Sequence, residues 1–191
     1  MITKNTKKIL NYLLRNLGLK NINQISKELK ISVGSAFKIL KELEKKEFIL
    51  LENLGNAKYY KINFGNNEMV KILELILIEE ARELKGYSKI YAKEFEQFDC
   101  PLIVLFGSIL KGSKFNDVDI LFIGCDIKNV SKFCLEISKV KSKPVVPLIL
   151  TKKDFIGELK KKKESILEIV KTGVVLNGEN IFIEVIKNAK L

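Results

Sequence analysis

The sequence predicts an α+β protein with two parts: three helices and a β-hairpin at the N-terminus, and a mixed sheet flanked by helices at the C-terminus. Apolar residues recur at helical spacing over most of the first 43 residues, and two short β-rich runs follow around a turn. Beyond residue 100, short continuous apolar runs typical of buried strands precede amphipathic helical patterns. A length of 191 residues suits one large domain or two small ones.

The composition excludes several functional classes. Hydrophobic residues make up 47% and charged residues 30%, which is typical of globular proteins. The apolar runs are too short for a bilayer span, and the lysine-rich N-terminus lacks a signal-peptide pattern, so we expect no membrane contact and a cytoplasmic location. The absence of histidine excludes histidine bases, Ser-His and Cys-His dyads and most zinc sites.

The cysteines point to a reducing compartment. Cys100, Cys125 and Cys134 are odd in number and show no CxxC spacing. This pattern argues against a disulfide framework.

The positive charge is concentrated in the N-terminal third. The net charge is +11; residues 1–65 carry 13 basic and 5 acidic side chains, which leaves +8 there and +3 in the rest. Such a localised field favours a polyanion partner, nucleic acid first. A general enrichment in lysine would also make the region positively charged. The pattern of predicted helices and strands must therefore decide between the two explanations.

Three helices are predicted before residue 46. Gly18 ends the first and Ser32 is a plausible N-cap of the third, after a short turn. Two short helices joined by such a turn form a helix-turn-helix. The apolar positions that define the helices are Ile9, Leu10, Leu13, Leu14 and Leu17; Ile22, Ile25 and Leu29; and Ala36, Ile39, Leu40 and Leu43.

A β-hairpin follows the third helix. Residues 48–51 and 58–62 are strand-like, and residues 53–56 carry turn chemistry between them. Three helices and a hairpin in this order, with the stretch ISKELKISVGSAFKILKELEKKEFI, resemble the winged helix-turn-helix family. We place this domain at residues 1–65.

The resemblance implies binding to double-stranded DNA, with the N-terminal turn of the third helix in the major groove. On that turn Ser32, Ser35 and Lys38 point away from the core face, whereas Asn56 and Lys58 of the hairpin are candidates for phosphate contacts. Phe37 either packs inward or touches a base. Some winged helices are protein–protein modules, and this alternative stays open.

Residues 66–85 form a predicted connecting helix with an apolar stripe, ended by Gly86. Packing within the chain is the simpler role for the stripe, and a homodimer is the alternative. A further helix is predicted from Tyr87 to about Gln97.

Two neighbouring strands carry the candidate chemistry. Residues 102–106 and 117–123 are buried strands, and the segment 108–116 between them is too short for a parallel crossover, so the strands should be antiparallel. Gly107 and Ser108 at the end of the first strand then meet Asp117 and Asp119 at the start of the second.

These residue types suit a metal and a phosphate. Asp117 and Asp119 are two apart on a strand and share a face, and paired carboxylates suit Mg²⁺. Gly107 allows a ligand to approach the backbone. Ser108 opens a helical turn whose free N–H groups favour phosphate, and Lys111 lies one turn later.

The stretch GSILKGSKFNDVDILFI resembles the signature of nucleotidyltransferases of the polymerase-β type, and IVKTGVVLNGENIFIEVI resembles the end of their minimal members. The resemblance covers residues 86–191. It implies that Asp117 and Asp119 bind Mg²⁺ and act in catalysis, and that Gly107, Ser108 and Lys111 bind ATP or another nucleoside triphosphate. A hydroxyl acceptor would attack the α-phosphate and pyrophosphate would leave.

One catalytic carboxylate that the resemblance implies has no counterpart in this sequence. Active members of that superfamily usually carry a third carboxylate on a later strand, and the matching segment 143–150 has no acid; its two prolines favour a sheet edge. Asp126 ends the previous strand, and Asp154 lies beyond the segment in a capping pair with Thr151. Lys160 to Lys163 is a lysine run, more simply a solvated face than a second nucleic-acid patch.

Two functions therefore stay open. One is a DNA-binding protein with an active nucleotidyltransferase domain and an unknown acceptor. The other is a transcriptional regulator, or an antitoxin-like protein with a small helical toxin as partner, in which that domain is inactive.

Overall fold

The computed structural model describes residues 2–112 and 114–190. The chain divides into two compact units, one running up to Ile76 and the other from Leu77 to Ala189. The division falls within helix α4 (Asn67–Arg82), which is preceded by helices α1 to α3 and strands β1 to β3.

Among the residues described, the first unit contains three complete helices, the first part of α4 and an antiparallel sheet. Strand β3 lies between β1 and β2, with Leu54 opposite Ala57 at the hairpin tip. Most of the predicted apolar positions are buried, among them Ile9, Leu13, Ile25 and Leu40, whereas Leu17, Ile22, Leu29 and Ile39 are partly exposed. The elements are α1 (Lys4–Arg15), β1 (Lys20–Asn21), α2 (Ile22–Leu29), α3 (Val33–Lys45), β2 (Ile49–Leu54) and β3 (Ala57–Ile62).

Local side-chain bonds set the ends of these helices. Ser32 caps α3 as predicted, since its Oγ accepts the Ser35 N–H at 3.1 Å. Lys30, with φ +53°, makes the turn between α2 and α3. α1 starts and ends earlier than Ile9 and Gly18 suggest, because Thr3 caps its start and the Asn16 side chain donates to the Tyr12 carbonyl at its end.

The hairpin is tighter than its sequence suggests. The strands extend to Leu54 and from Ala57, which leaves a two-residue turn of Gly55, at φ +58°, and Asn56. Positive φ at the first turn residue favours glycine. Strand β1, which the apolar pattern does not indicate, adds Lys20 opposite Tyr60.

Two helices lead to the second sheet: α4 and α5 (Gly86–Phe95). The predicted stripe of α4 is buried at Met69, Leu73 and Leu77, so it packs within the chain. Leu75 lies off the stripe and is 60% exposed.

The second unit is built on a mixed sheet in the order β6-β5-β4-β7. Its strands are β4 (Leu102–Phe106), β5 (Val118–Ile123), β6 (Val145–Leu150) and β7 (Val174–Asn177). β4 runs antiparallel to β5, which confirms the prediction from the short connection, and β5 runs parallel to β6. β6 lies at the edge, the position that tolerates Pro147 within the strand, and Pro144 directly precedes it.

Helices flank this sheet. They are α6 (Ile127–Val140), α7 (Lys152–Lys160), α8 (Glu164–Thr172) and α9 (Glu179–Lys190). The helical pattern from Thr151 to Gly173 is broken at Lys162, with φ +56°. The lysine run therefore lies at a turn, where Lys161 and Lys163 pair with Glu158 at 3.1 and 3.2 Å. Among the described residues, no helix has both the length and the apolar character that crossing a membrane requires.

The expectation about cysteines is wrong, because Cys100 and Cys125 form a disulfide with Cα atoms 5.6 Å apart. The ladder explains the pair: Leu102 lies opposite Ile123, so two residues further out Cys100 faces Cys125. CxxC spacing does not reveal partners that a hairpin-like register brings together. Cys134 is free, and burial raises the pKa of its thiol to about 11.

Candidate functional site

The first candidate site is the outward face of α3. Ala36, Leu40 and Leu43 are buried and fix the orientation of the helix. Phe37 is 53% exposed and Val33 47% exposed, so Phe37 does not pack inward. The remaining exposed positions of α3 are Gly34, Ser35, Lys38, Lys41 and Lys45, together with the acids Glu42 and Glu44. We call Val33, Gly34, Ser35, Phe37, Lys38, Lys41 and Lys45 the α3 face, which the two acids border.

The two serines have different roles. Ser32 accepts the Ser35 N–H and donates to Ser35 Oγ at 2.9 Å, so its hydroxyl is used in the cap. Ser35 accepts that bond and keeps its own hydroxyl hydrogen for a further acceptor. Of the predicted DNA residues on α3, Ser35 and Lys38 are therefore better placed than Ser32 for a direct contact.

The hairpin supplies the other predicted contacts. Asn56 lies in the turn and Lys58 on β3 opposite Asn53, and both are exposed. Lys61 on the same strand is paired with Glu52 at 2.9 Å.

The second candidate site lies where β4 ends and β5 begins. Phe106 pairs with Asp119 across the ladder, and Gly107 follows directly. A Cβ atom at Gly107 would collide with the Asp119 carboxylate, and the backbone there has φ +84°. Close approach and backbone conformation thus both require glycine. We call Gly107, Ser108, Asp117 and Asp119 the acidic corner.

The two carboxylates of the acidic corner are partly exposed, whereas Val118 and Ile120 between and beside them are fully buried. This alternation turns both acids to one face, as expected. Burial, and then the neighbouring Asp117 carboxylate, raise the pKa of Asp119 above its ordinary value. The corner is therefore short of positive charge.

A short 3₁₀ helix (Ser108–Lys111) opens from the acidic corner, as the Gly-Ser pair predicts. Lys111 is exposed and lines a cavity of about 440 Å³, together with Gly112 and the start of α5 at Tyr87 and Ser88. The cavity offers room for a small ligand beside the corner.

The register of β5 and β6 identifies the position nearest to the acid pair on the neighbouring strand. Asp119 lies opposite Val146, which is 46% exposed. Asp126 caps α6 beyond the other end of β5, and Asp154 is bonded to Thr151 at 3.1 and 2.6 Å. In residues 2–112 and 114–190, no group of three or more acidic or cysteine side chains could hold a metal.

Sequence reasoning missed several residues of these sites. Val33, Gly34, Lys41 and Lys45 complete the α3 face, and the i, i+4 spacing from Val33 to Phe37 and from Lys41 to Lys45 was the available signal. Val146 depends on a parallel register that no local pattern encodes.

Comparison with known protein families bears on the first unit. Residues 2–49 match the family model described as winged helix-turn-helix DNA-binding. With α1 to α3 and the hairpin in the expected order, the first unit is a winged helix-turn-helix of the DNA-binding kind. Searches of curated proteins and of solved structures find no match.

Proposed function

We propose that this protein binds double-stranded DNA through the α3 face and the hairpin, and that its second unit binds Mg²⁺ with a nucleoside triphosphate and transfers a nucleotidyl group to a hydroxyl acceptor. The observation that carries the second half is the close approach of Gly107 to the Asp119 carboxylate. A cytoplasmic location belongs to the same proposal, since DNA is the partner.

The DNA half is supported by charge and shape. Lys38, Lys41 and Lys45 lie on the exposed side of the helix that such domains insert into the major groove. Ser35 offers a hydroxyl donor, and Asn56 and Lys58 offer phosphate contacts from the hairpin.

The acidic corner fits a magnesium ion in its donor set. Asp117 and Asp119 would hold Mg²⁺, since one or two carboxylates plus phosphate oxygens and water satisfy this ion. The raised pKa of Asp119 marks a carboxylate that a cation would stabilise. When bound, the ion supplies the charge neutralisation that a triphosphate needs.

The chain's own groups would orient the reactants. The free N–H groups at the start of the 3₁₀ helix and the Ser108 hydroxyl would bind the outer phosphates, and Lys111 would add a positive charge. In the transfer, the acceptor oxygen bonds to the α-phosphorus and the bond to pyrophosphate breaks. The hydroxyl proton would pass to water, because Val146 stands where a neighbouring base could act.

Calorimetric titration of Mg²⁺-ATP into the full chain tests the nucleotide half. The paired variant is Asp117→Ala/Asp119→Ala, and Glu136→Ala, an exposed acid on α6, is the control. We expect binding that requires both the metal and the acid pair and is unchanged by Glu136→Ala. If ATP and the other three nucleotides all fail to bind, this half is wrong, whereas a gel-shift titration tests the DNA half separately.

A second candidate function is favoured by Val146. With valine beside Asp119, the second unit would bind a nucleotide, or only a partner, without turnover, and the protein would act as a regulator or an antitoxin-like protein. Val146→Asp would then add the missing carboxylate. Tighter Mg²⁺-ATP binding or new turnover in this variant, but not in the control Val140→Asp, would support the second candidate. Wild-type turnover would rule it out.

The second candidate includes two partner proposals. A homodimer could use exposed Leu75 of α4, and a small helical toxin could pack on the second unit. Sedimentation of the chain alone tests the first, and co-expression with a neighbouring small gene tests the second.

A further inference from the structure

The α3 face contains an apolar strip beside its lysines. Val33 and Phe37 are neighbours at i and i+4 on α3, and they are 47% and 53% exposed. Val33 is the first residue of the helix, so the strip lies at the N-terminal end of α3, where the residues of such domains contact base edges. Two exposed large apolar side chains side by side are available for contact with a partner surface.

Gly34 lies beside this strip and is not required by the fold. A Cβ atom at Gly34 would meet nothing within 4 Å, and its φ is not positive. Glycine within a helix lowers stability relative to alanine, so nothing inside the chain explains it. A glycine on the exposed first turn lets the helix backbone come close to another molecule.

The charges around the strip identify that molecule. Lys38, Lys41 and Lys45 adjoin it along α3 and outnumber the exposed acids Glu42 and Glu44, and residues 2–49 match a DNA-binding family model. An apolar strip bordered by cations complements a surface with anionic edges and an apolar floor. The major groove has this character where thymines place their C5-methyl groups between two phosphate backbones.

Resting on the proposed DNA binding, we propose that Val33 and Phe37 contact thymine methyl groups, so that the protein prefers sites with thymine under the first turn of α3. Gly34 permits the close approach. Val33 and Phe37 would then read the base sequence, whereas the lysines contact phosphates.

The test uses one DNA duplex in two forms. A duplex selected by the full chain from a pool with a randomised centre is synthesised with thymine or with uracil, which lacks only the methyl group. We expect the uracil form to bind about 4-fold more weakly for each methyl group contacted. Phe37→Ala should weaken the preference for thymine and Val33→Ala/Phe37→Ala should abolish it, whereas Leu135→Ala, an equally exposed residue on α6 (57%), should keep the preference.

Gly34→Ala is an independent second variant. It should melt no lower than the wild type, because the added Cβ meets open space, and yet bind the selected duplex more weakly. A mere folding defect would lower both quantities.

Further outcomes of these measurements distinguish thymine recognition from DNA binding itself. Equal binding of the thymine and uracil duplexes by the wild type, or an unchanged preference in Phe37→Ala, overturns the inference and leaves DNA binding intact. Failure to bind any duplex at low salt overturns DNA binding itself. Loss of self-association in Phe37→Ala with unaltered DNA binding would assign the strip to a protein contact and overturn the inference.

Discussion

The two units carry their candidate sites in opposite ways. The α3 face is an exposed helix surface whose members lie within 13 consecutive residues and carry positive charge. The acidic corner forms where the end of β4 lies beside the start of β5. There Gly107 and Asp119 approach closely, and two carboxylates share one face. The first site keeps its shape as long as one helix is capped and packed. The second depends on a ladder between distant segments, so its geometry is more easily lost.

The largest expected effect comes from reversing two positive charges on the α3 face. Lys41→Glu/Lys45→Glu should weaken DNA binding by about 100-fold or more at low salt and make its salt dependence shallower, because phosphate contacts are lost. Mg²⁺-ATP binding should be unchanged. The control is Lys128→Glu/Lys132→Glu, an exposed pair with the same spacing on α6. An equal loss of DNA binding in this variant would show that the α3 effect comes from the change in net charge alone.

The disulfide should support only the second unit. Cys100→Ser/Cys125→Ser should lower the free energy of unfolding of that unit by about 3 kcal/mol, because the bond closes a chain segment of 25 residues. DNA binding should persist.

Reduced wild-type protein is the control, and its melting curve should match that of the variant. Alkylation of the unfolded chain should modify one thiol before reduction and three after it. Three modified thiols without reductant would contradict the bond.

Adding a methyl group at Gly107 tests its close approach to the Asp119 carboxylate. Gly107→Ala should destabilise the second unit by about 1–3 kcal/mol and abolish Mg²⁺-ATP binding, because the added Cβ collides with Asp119 at an unfavourable φ. Gly157→Ala, in α7, meets open space and should be neutral or stabilising. Similar melting temperatures for the two variants would show that the corner tolerates a side chain.

The smallest expected effect is a gain in stability, whereas the disulfide and Gly107 variants above should lower it. Asp119→Asn removes a partly buried charge that is repelled by Asp117, so it should raise the free energy of unfolding, by less than about 1 kcal/mol because water screens the pair. The same variant should lose Mg²⁺ binding. Denaturant titration measures the first effect, and a lower midpoint would mean that the carboxylate stabilises the fold. Val118→Ala, at a buried position of the same strand, should instead lower the free energy of unfolding.

Much of the first unit follows from local patterns. The 3.6-residue periodicity predicts α2 and α3, and the Ser32 cap is confirmed at 3.1 Å. The details that differ depend on single bonds: Asn16 ends α1 early, and the tip at Gly55 tightens the hairpin. Strand β1 is only two residues long and has no periodicity of its own, because pairing with Tyr60 and Tyr59 creates it.

The second unit is less accessible to sequence reasoning. The short connection predicts the antiparallel pair β4–β5, and the prolines predict the edge position of β6; both are confirmed. The break of the long helical pattern at Lys162 was not predicted, because the apolar spacing continues across it. The roles of the acidic corner in metal and nucleotide binding stay predictions.

By itself, the sequence determined the order of α1 to α3 and the hairpin, the antiparallel pair β4–β5, the concentration of positive charge in the first third and the close spacing of Asp117 and Asp119, because periodicity, capping and short loops act over a few residues. Only the tertiary structure decided that Phe37 faces outward, that Cys100 meets Cys125 and that Val146 lies beside Asp119. The physical reason is range: exposure depends on which face of a helix the core covers, and register depends on partners tens of residues away.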